Sequence, residues 1–132
     1  RAGNDILIGS NSGDIISGGA GNDTLTGGSG PDQFFYSSSS EVGDTITDFN
    51  QLDDIIQVSA SGFGGGLIPG EVIDSSQFHL GTAATTSSHR FIFTQSTSQL
   101  YFDFDGTGSV VQTLFATFTP GTSLTHQNIF VT

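Results

Sequence analysis

The sequence feature that most constrains the fold is a nine-residue repeat in the first thirty-five residues. Four aspartates recur at this interval, and a large apolar residue lies two positions after each of them. The aspartates are Asp5, Asp14, Asp23 and Asp32, and the apolar residues are Leu7, Ile16, Leu25 and Phe34. Four copies in one frame indicate that a small unit is stacked. A Gly/Asp-rich flexible linker, the alternative, has no reason to keep an apolar residue in register.

Each nine-residue unit divides into a six-residue turn and a three-residue strand. Glycine tolerates the positive φ angles that a tight turn needs, and it lets carbonyl groups approach an ion closely. In the strand, the apolar residue points inward and its two neighbours point outward. Two units complete one circuit of a flattened coil, so turns eighteen residues apart stack on the same edge. The spacing therefore predicts one ion between Asp5 and Asp23 and another between Asp14 and Asp32.

The oxygen atoms available at these turns favour calcium over other metals. Carboxylate and main-chain carbonyl oxygens are the ligands that Ca2+ prefers, whereas zinc and copper prefer Cys and His. The chain has no Cys, and its three His residues are scattered along the sequence. We therefore expect Ca2+ as the bound cofactor.

The repeats resemble the nonapeptide of RTX (repeats-in-toxin) proteins, the hemolysin-type calcium-binding repeat, which folds as a parallel β-roll. In that family an ion lies between one turn and the turn two units later, and each turn supplies two carbonyls and its aspartate. The resemblance implies a first site formed by Arg1, Gly3, Asp5, Gly18, Ala20 and Asp23. It implies a second site formed by Ser10, Ser12, Asp14, Gly27, Ser29 and Asp32. Some turn positions carry a residue other than glycine. Because the ligands at these positions are main-chain carbonyls, such a residue destabilises the turn more than it weakens the binding of the ion.

The segment after the repeats breaks the period and contains two predicted strands, around residues 45–47 and 55–58. Residues 44–59 resemble the segment that caps the roll in serralysin-type C-terminal domains. The resemblance implies a further calcium site against the last repeat turn, and its residues are Gly28, Gly30, Asp32, Asp48 and Asp54. Gln57 stands where that family usually has Asp. The alternative is that these acidic residues only solvate a loop.

Residues 78–104 alternate aromatic and polar side chains and predict a β-hairpin with a turn at residues 95–98. Phe91 and Phe93 share one parity, and Leu100, Phe102 and Phe104 share one parity on the second strand. Such regular alternation favours a calcium-independent core over an aromatic ladder that stacks sugars.

The last thirty residues contain one ambiguous loop and two predicted strands. The loop starting at Asp103 and Asp105 matches the start of an EF-hand loop, but its twelfth position is Leu114 rather than Glu. We interpret it as a β-turn, and a weak calcium site there stays open. The strands are predicted at residues 110–118 and 128–132, with one face formed by Val110, Leu114, Ala116 and Phe118.

These features predict an all-β fold, in which a short parallel β-roll of two coils of calcium-binding nonapeptide repeats is capped by a β-sandwich-like C-terminal region. We place the roll at residues 1–35 and the β-rich capping region at residues 36–132. Residues 78–132 resemble the common C-terminus of bacterial RTX proteins, which carries an uncleaved signal read by a type I secretion exporter. The first coil should expose isoleucines at positions 6, 8 and 15, and the chain opens with Arg1 rather than Met. We therefore expect a piece of a longer protein, with upstream repeats or domains of the parent as partners.

Charge and missing motifs exclude several function classes. The net charge is −11 with only two basic residues, so the chain should repel nucleic acid and anionic membrane surfaces. No apolar run is long enough for a membrane span. Neither a His-Glu-x-x-His motif nor a Gly-x-Ser-x-Gly elbow is present. We predict that the chain is not an enzyme and that any catalytic domain lies upstream.

The sequence is best interpreted as a calcium-binding module of a larger secreted protein, located outside the cell or at the cell surface. It would stay unfolded in a calcium-poor cytosol, carry the type I secretion signal and fold on calcium after export. Two alternatives stay open. One is the terminal domain of an RTX adhesin that binds a surface or glycan ligand, and the other is the non-catalytic tail of a secreted metalloprotease or lipase.

Overall fold

The computed structural model describes residues 2–132, and this part of the chain is almost entirely β-structure. The strands are β1 (Ile6–Ile8), β2 (Ile15–Ile16), β3 (Thr24–Thr26), β4 (Gln33–Tyr36), β5 (Asp44–Ile46), β6 (Ile55–Val58), β7 (Phe78–Leu80), β8 (Phe91–Thr94), β9 (Gln99–Phe102), β10 (Thr113–Phe118) and β11 (Ile129–Val131). One helical turn, α1 (Ala60–Phe63), and two 3-10 turns, Ser75–Gln77 and His126–Asn128, complete the described elements.

The strands form two sheets that face each other. One sheet has the order β1-β3-β5-β10-β9-β8-β7, and the other has the order β11-β6-β4-β2. The repeat strands alternate between the sheets, as a flattened coil requires. Ile6 lies opposite Thr24 and Ile15 lies opposite Gln33, both in parallel register. The predicted eighteen-residue stacking of the repeats is therefore confirmed.

Both sheets continue past the repeats without a break. β3 pairs in parallel with β5, and β4 pairs in parallel with β6. β10 and β11 then extend the two sheets by further parallel pairing with β5 and β6. The repeats and the rest of the chain thus share one pair of sheets, and the division at residue 35 stays a prediction about folding units.

The core lies between the two sheets, and the repeats contribute to it as predicted. The inward residues Ile16, Leu25 and Phe34 are buried, and Leu7 packs against them partly buried. The outward isoleucines of the first coil are 72–76% exposed, and they are Ile6, Ile8 and Ile15. The alternation confirms which face of each repeat strand points inward.

Aromatic rings fill the core at the end distant from the first coil. The Phe63 ring lies 5.0 Å from that of Phe102 and 5.9 Å from that of Phe115, both edge to face. Tyr36 from the last repeat strand meets Phe115 at 5.1 Å, also edge to face. Phe91 is fully buried in the same cluster. The structure thus supports the core interpretation of the predicted aromatic strands.

The predicted hairpin is present, but it ends earlier than expected. β8 and β9 pair antiparallel, with Phe91 opposite Phe102. β9 ends at Phe102, and Phe104 is 50% exposed rather than on the buried face. The reason is a turn that begins at once, because the Asp105 N–H donates to the Asp103 carboxylate at 3.3 Å.

The face predicted for the next strand is correct at Ala116 and Phe118, which are buried, but not before them. The pairing of β10 with β9 shifts between Leu114 and Ala116, which marks a β-bulge. Because a bulge places an extra residue on one strand, Phe115 and Ala116 are both buried although they are neighbours. Val110 lies before the strand and is 47% exposed.

Candidate metal centre

Aspartates stack in a ladder along one edge of the roll, which we call the first edge and define as Asp5, Asp23 and Asp44. The Asp5 N–H donates to Asp23 Oδ1 at 2.7 Å, and the Asp23 N–H donates to Asp44 Oδ1 at 2.9 Å. Each bond joins one turn to the next turn on the same edge. The main chain thus orients the carboxylates of Asp23 and Asp44, each through one of its two oxygens.

A second ladder follows the opposite edge, which we call the second edge and define as Asp14, Asp32 and Asp54. The Asp14 N–H donates to Asp32 Oδ1 at 2.9 Å, and the Asp32 N–H donates to Asp54 Oδ1 at 2.9 Å. Asp14 Oδ2 accepts the N–H of Ser10 at 2.6 Å and its hydroxyl at 3.0 Å. The two edges therefore repeat the same arrangement, as the predicted pairs of aspartates require.

Two carboxylate oxygens inside the ladders are buried without a donor. Within residues 2–132, Oδ2 of Asp23 and Oδ2 of Asp32 have no hydrogen-bond partner. Each of these residues is only 1% exposed. A buried carboxylate is costly unless it is hydrogen-bonded, paired or bound to a metal. These oxygens are therefore suited to a cation that lies within the turn.

Main-chain atoms approach the same oxygens closely because glycine occupies the turn. A Cβ on Gly18 would lie 2.1 Å from Asp23 Oδ2, and a Cβ on Gly27 would lie 2.2 Å from Asp32 Oδ2. A Cβ on Gly28 would lie 2.0 Å from the Ser10 carbonyl oxygen. Carboxylate and carbonyl oxygens thus line the same turns, and this all-oxygen set fits Ca2+.

The structure brings the residues of the first two predicted sites together in stacked turns. In the first, the Gly3 N–H donates to the Ala20 carbonyl at 2.8 Å. In the second, the Ser29 N–H donates to the Ser10 carbonyl at 3.2 Å, and the hydroxyls of Ser10 and Ser12 lie 3.1 Å apart. Arg1 lies outside the described residues. Ligation by these individual residues stays a prediction.

The acids of the predicted third site also lie against the last repeat turn. The Asp48 carboxylate accepts the N–H of Gly27 and the N–H of Gly28, both at 2.8 Å. Asp54 Oδ2 accepts the Asn50 N–H at 2.8 Å, which complements its bond from Asp32. Burial raises the pKa of the Asp54 carboxyl, and these two N–H bonds oppose the rise. Gly30 packs tightly on the Ser12 main chain, and ion binding at this third site stays a prediction.

Sequence reasoning did not place Asp44 in the ladder of the first edge, where its carboxylate accepts the Asp23 N–H, and it gave no role to the nearby Glu41. Burial raises the pKa of the Asp44 carboxyl to about 6. The bond from the Asp23 N–H and the Tyr36 hydroxyl oppose the rise, and the charges of Asp23 and Glu41 add to it. Glu41 is 8% exposed and accepts the Ser37 hydroxyl on one oxygen. Asp44 follows Asp23 by 21 residues, so the nine-residue period conceals it. The signal that could have found it is the pair Gly43-Asp44, which lies where β5 begins.

Side chains alone do not form a metal cluster in this structure. In the described part of the chain, no group of three or more His, Cys, Asp or Glu side chains has the geometry to hold a metal ion. Ligation in the turns therefore has to include main-chain carbonyls. At the loop after β9, Asp105 Oδ2 accepts the Val110 N–H at 3.2 Å, which is consistent with the turn interpretation.

No helix within residues 2–132 has the length and apolar character to cross a membrane.

Comparison with known proteins agrees with the repeat geometry. Residues 1–34 match the model of the RTX calcium-binding nonapeptide repeat, in four copies. The fold resembles that of the AlgE6R3 subunit of the Azotobacter vinelandii mannuronan C5-epimerase, with a TM-score of 0.53 and 21% sequence identity over 97% of this chain and 78% of that chain. At this identity the likeness concerns the fold alone. No curated protein matches the chain significantly.

The family match and the geometry together establish the nature of the repeats. Residues 1–34 have the sequence pattern of RTX calcium-binding repeats, which implies Ca2+ as their cofactor. The predicted all-β fold with a parallel β-roll is confirmed. The resemblance of the remaining segment to a serralysin-type cap stays a prediction.

Proposed function

We propose that this chain is the calcium-dependent folding and export module of a larger secreted protein. The observation that carries the proposal is the burial of Asp23 Oδ2 and Asp32 Oδ2, one on each edge of the roll, without a hydrogen-bond partner among residues 2–132. A buried unpartnered carboxylate opposes folding, and the same carboxylate as a calcium ligand favours it. Calcium would therefore determine whether the roll is folded.

Residues of the chain prepare each turn for the ion. The N–H of Asp14 holds Asp32 through Oδ1, so Oδ2 stays available to a ligand. Gly27 leaves space beside that oxygen that a larger residue would fill. When bound, Ca2+ would supply the positive charge that offsets the stacked carboxylates.

Calcium concentration supplies the switch between the unfolded and the folded chain. Calcium sites in extracellular modules have dissociation constants of about 10⁻⁴–10⁻³ M, which lie far above free cytosolic calcium. At calcium 100 times above the dissociation constant, one such site stabilises the fold by about 2.7 kcal/mol. The net charge of −11 destabilises the compact state when cations are absent. The module would thus stay unfolded before export and fold outside.

Removal of calcium tests the folding part of the proposal. We expect excess EGTA to abolish much of the β-signal in far-UV circular dichroism and to lower the melting temperature, and added CaCl2 to restore both. MgCl2 is the control, because Mg2+ demands a smaller octahedral site and should restore little. Unchanged spectra and melting in EGTA would refute the coupling of calcium to folding.

The export part of the proposal concerns the C-terminal strands. β11 lies at the edge of its sheet, but the side chains of Ile129 and Val131 are buried in the core. An exporter could read a signal there only while the chain is unfolded, which fits folding after export. The test is a reporter fused to residues 1–132, co-expressed with a type I exporter, and compared with the same fusion lacking residues 113–132. We expect only the first fusion in the medium, and equal export of the two would contradict the proposal.

The adhesin alternative gains no support from the aromatic strands. Phe91 and Phe93 are fully buried, so their rings are not available to stack a sugar. The alternative of a non-catalytic tail is compatible with the proposed role, because a tail that folds on calcium can belong to any secreted parent enzyme.

A further inference from the structure

Threonine occupies both outward positions on three neighbouring parallel strands of the larger sheet. The segments on β3, β5 and β10 are Thr24-Leu25-Thr26, Thr45-Ile46-Thr47 and Thr117-Phe118-Thr119, and the last two extend one residue past the strand. Thr45 lies opposite Thr24 on one side and opposite Thr117 on the other. The central residue of each segment is buried, so its two threonines face outward. We call these six threonines the threonine array.

The array repeats in two dimensions. Neighbouring strands of a sheet lie about 4.7–4.9 Å apart, and residues two positions apart on a parallel strand are separated by about 6.6 Å. Thr26 Oγ1 lies 2.6 Å from Thr47 Oγ1, so these two side chains share one face. Side-chain ladders are among the features that stabilise flat sheets. The array thus forms two rows of three threonines, which favour a flat surface.

Hydrogen bonds inside the array hold its hydroxyl groups in place. The Thr47 hydroxyl donates to the Leu25 carbonyl at 3.4 Å, and the Thr119 hydroxyl donates to the Thr47 carbonyl. A β-branched side chain is also stiff about its first torsion. A hydroxyl that donates to the main chain keeps lone pairs that can accept from water. The array therefore presents ordered oxygen atoms and methyl groups, and binding would cost it little side-chain entropy.

The array carries no charge, although the net charge of the chain is −11. Its neighbours in the sheet are the exposed Ile6 and Ile8 of β1 on one side and Gln99 of β9 on the other. Asp23 and Asp44, which directly precede two of the threonine segments, are only 1% exposed. The lack of charge on this face complements a neutral partner rather than an ionic one.

The outer face of the smaller sheet carries a mixture of side chains instead. The outward positions of β4 and β6 are Gln33, Phe35, Ile55 and Gln57. Threonine is common in strands because it fits a pleated surface. That preference alone would place threonine on both sheets, so it does not explain why the repetition is confined to one of them.

We propose that the threonine array is an ice-binding surface, whose partner is the ordered water of an ice crystal. Ice is neutral and repeats in two dimensions, and the spacing of water oxygens in its lattice is close to the spacing of the threonines along and between the strands. The hydroxyl groups would bond to water of the lattice, and the methyl groups would lie between them. A dissolved sugar or peptide offers no matching repeat. This binding goes beyond the proposed folding and export of the module.

Ice growth in the presence of the whole chain at saturating CaCl2 tests the surface. We expect the wild type to shape ice crystals, to lower their freezing point below their melting point, and to concentrate in the ice of a slowly frozen solution. Thr45→Lys places a long charged side chain at the centre of one row, and it should lose most of each effect. Gln57→Lys, the control, makes the same change in charge on the outer face of the smaller sheet and should keep all three.

Thr119→Lys gives a second version of the test, because Thr119 is exposed and lies outside the strand. It should also lose most of the effect on ice. The melting temperature of each variant, measured in CaCl2, shows whether the variant is folded. Folded variants at Thr45 and Thr119 that act on ice as strongly as wild type would contradict the proposed surface.

A wild-type chain that is folded in calcium and leaves ice growth unchanged would overturn the proposal. Adsorption to crystalline cellulose without any effect on ice would assign the face to a polysaccharide, and a dimer that Thr45→Lys dissociates, again without an effect on ice, would assign it to a second copy. Either result also overturns it. These outcomes leave the folding and export proposal untouched, because the measurement is made on folded protein at saturating calcium.

Discussion

The repeat coils and the aromatic end of the molecule share two sheets but bury different chemistry. Asp23 and Asp32 in the coils are as buried as Phe115 in the aromatic end, at 1% exposure each. In the coils, buried carboxylate oxygens lack donors within residues 2–132. At the aromatic end, Phe115 contacts the rings of Tyr36 and Phe63. The coils therefore depend on a cation, whereas the aromatic end is stabilised by apolar burial at any calcium concentration.

The difference shows how one pair of sheets can have two sources of stability. β5 pairs with a repeat strand on one side and with a strand of the aromatic end on the other. The aromatic end can thus serve as a preformed edge on which the coils assemble when calcium binds. Variants on either side should change stability with different calcium dependence.

The largest effect is expected from Phe115→Ala at the aromatic end. Loss of a buried aromatic ring should lower the free energy of unfolding by about 3–5 kcal/mol, because it leaves a cavity among the remaining rings. The measurement is urea unfolding at saturating calcium. Phe104→Ala is the control. Because Phe104 is 50% exposed, this variant should lose far less of the free energy of unfolding. Equal losses for the two variants would show that the buried ring cluster is not the source of stability.

Asp32→Asn should lower the free energy of unfolding by a smaller amount, and only when calcium is present. Asparagine can still accept the Asp14 N–H on its oxygen, but it offers no anionic oxygen to the ion. At calcium 100 times above the dissociation constant, the loss of one site lowers the free energy of unfolding by about 2.7 kcal/mol. The measurement is the unfolding of Asp32→Asn in CaCl2 and in EGTA. Glu71→Gln is the control variant, because Glu71 is exposed. A loss of equal size in EGTA would make Asp32 a purely structural residue.

A pH effect is expected at the aromatic end, where the rings of His79 and His89 stack at 4.5 Å. Burial, and to a smaller extent the charge of His79, lower the pKa of His89 below its usual value. The unfolded chain therefore binds the proton more readily than the folded chain does. The stabilisation that neutral His89 provides is fully present above about pH 6.5 and is lost as the pH falls through the lowered pKa. Melting of wild type and His89→Gln between pH 8 and pH 5 measures the difference. A decline of equal size in both would contradict this role of His89.

The smallest effect is expected from Ile15→Thr on the first coil. Ile15 is 72% exposed, and its partner in the neighbouring strand is the polar Gln33. Surface substitutions of this kind usually change the free energy of unfolding by less than about 0.5 kcal/mol. Urea unfolding of the isolated chain checks this value. A loss above about 2 kcal/mol would show that this isoleucine is buried in solution, for example against a second copy.

The parts of the fold that follow a local period could be predicted from sequence, and the parts that depend on irregularities could not. Leu25 and Phe34 were correctly placed in the core because the repeat fixes their direction. The bulge beside Phe115 was missed because it depends on pairing with a distant strand. Asp44 was missed because three additional residues lengthen its interval from Asp23, although the turn still stacks.

Hydrogen exchange during calcium removal tests the central claim most directly. Amide exchange measured by mass spectrometry at decreasing calcium should show that β1 to β4 lose protection first. At the calcium concentration where they have lost half of it, β8 and β9 should remain protected. Repeat strands that keep their protection in EGTA, or that lose it together with β8 and β9, would contradict the division into a calcium-dependent roll and a calcium-independent aromatic end.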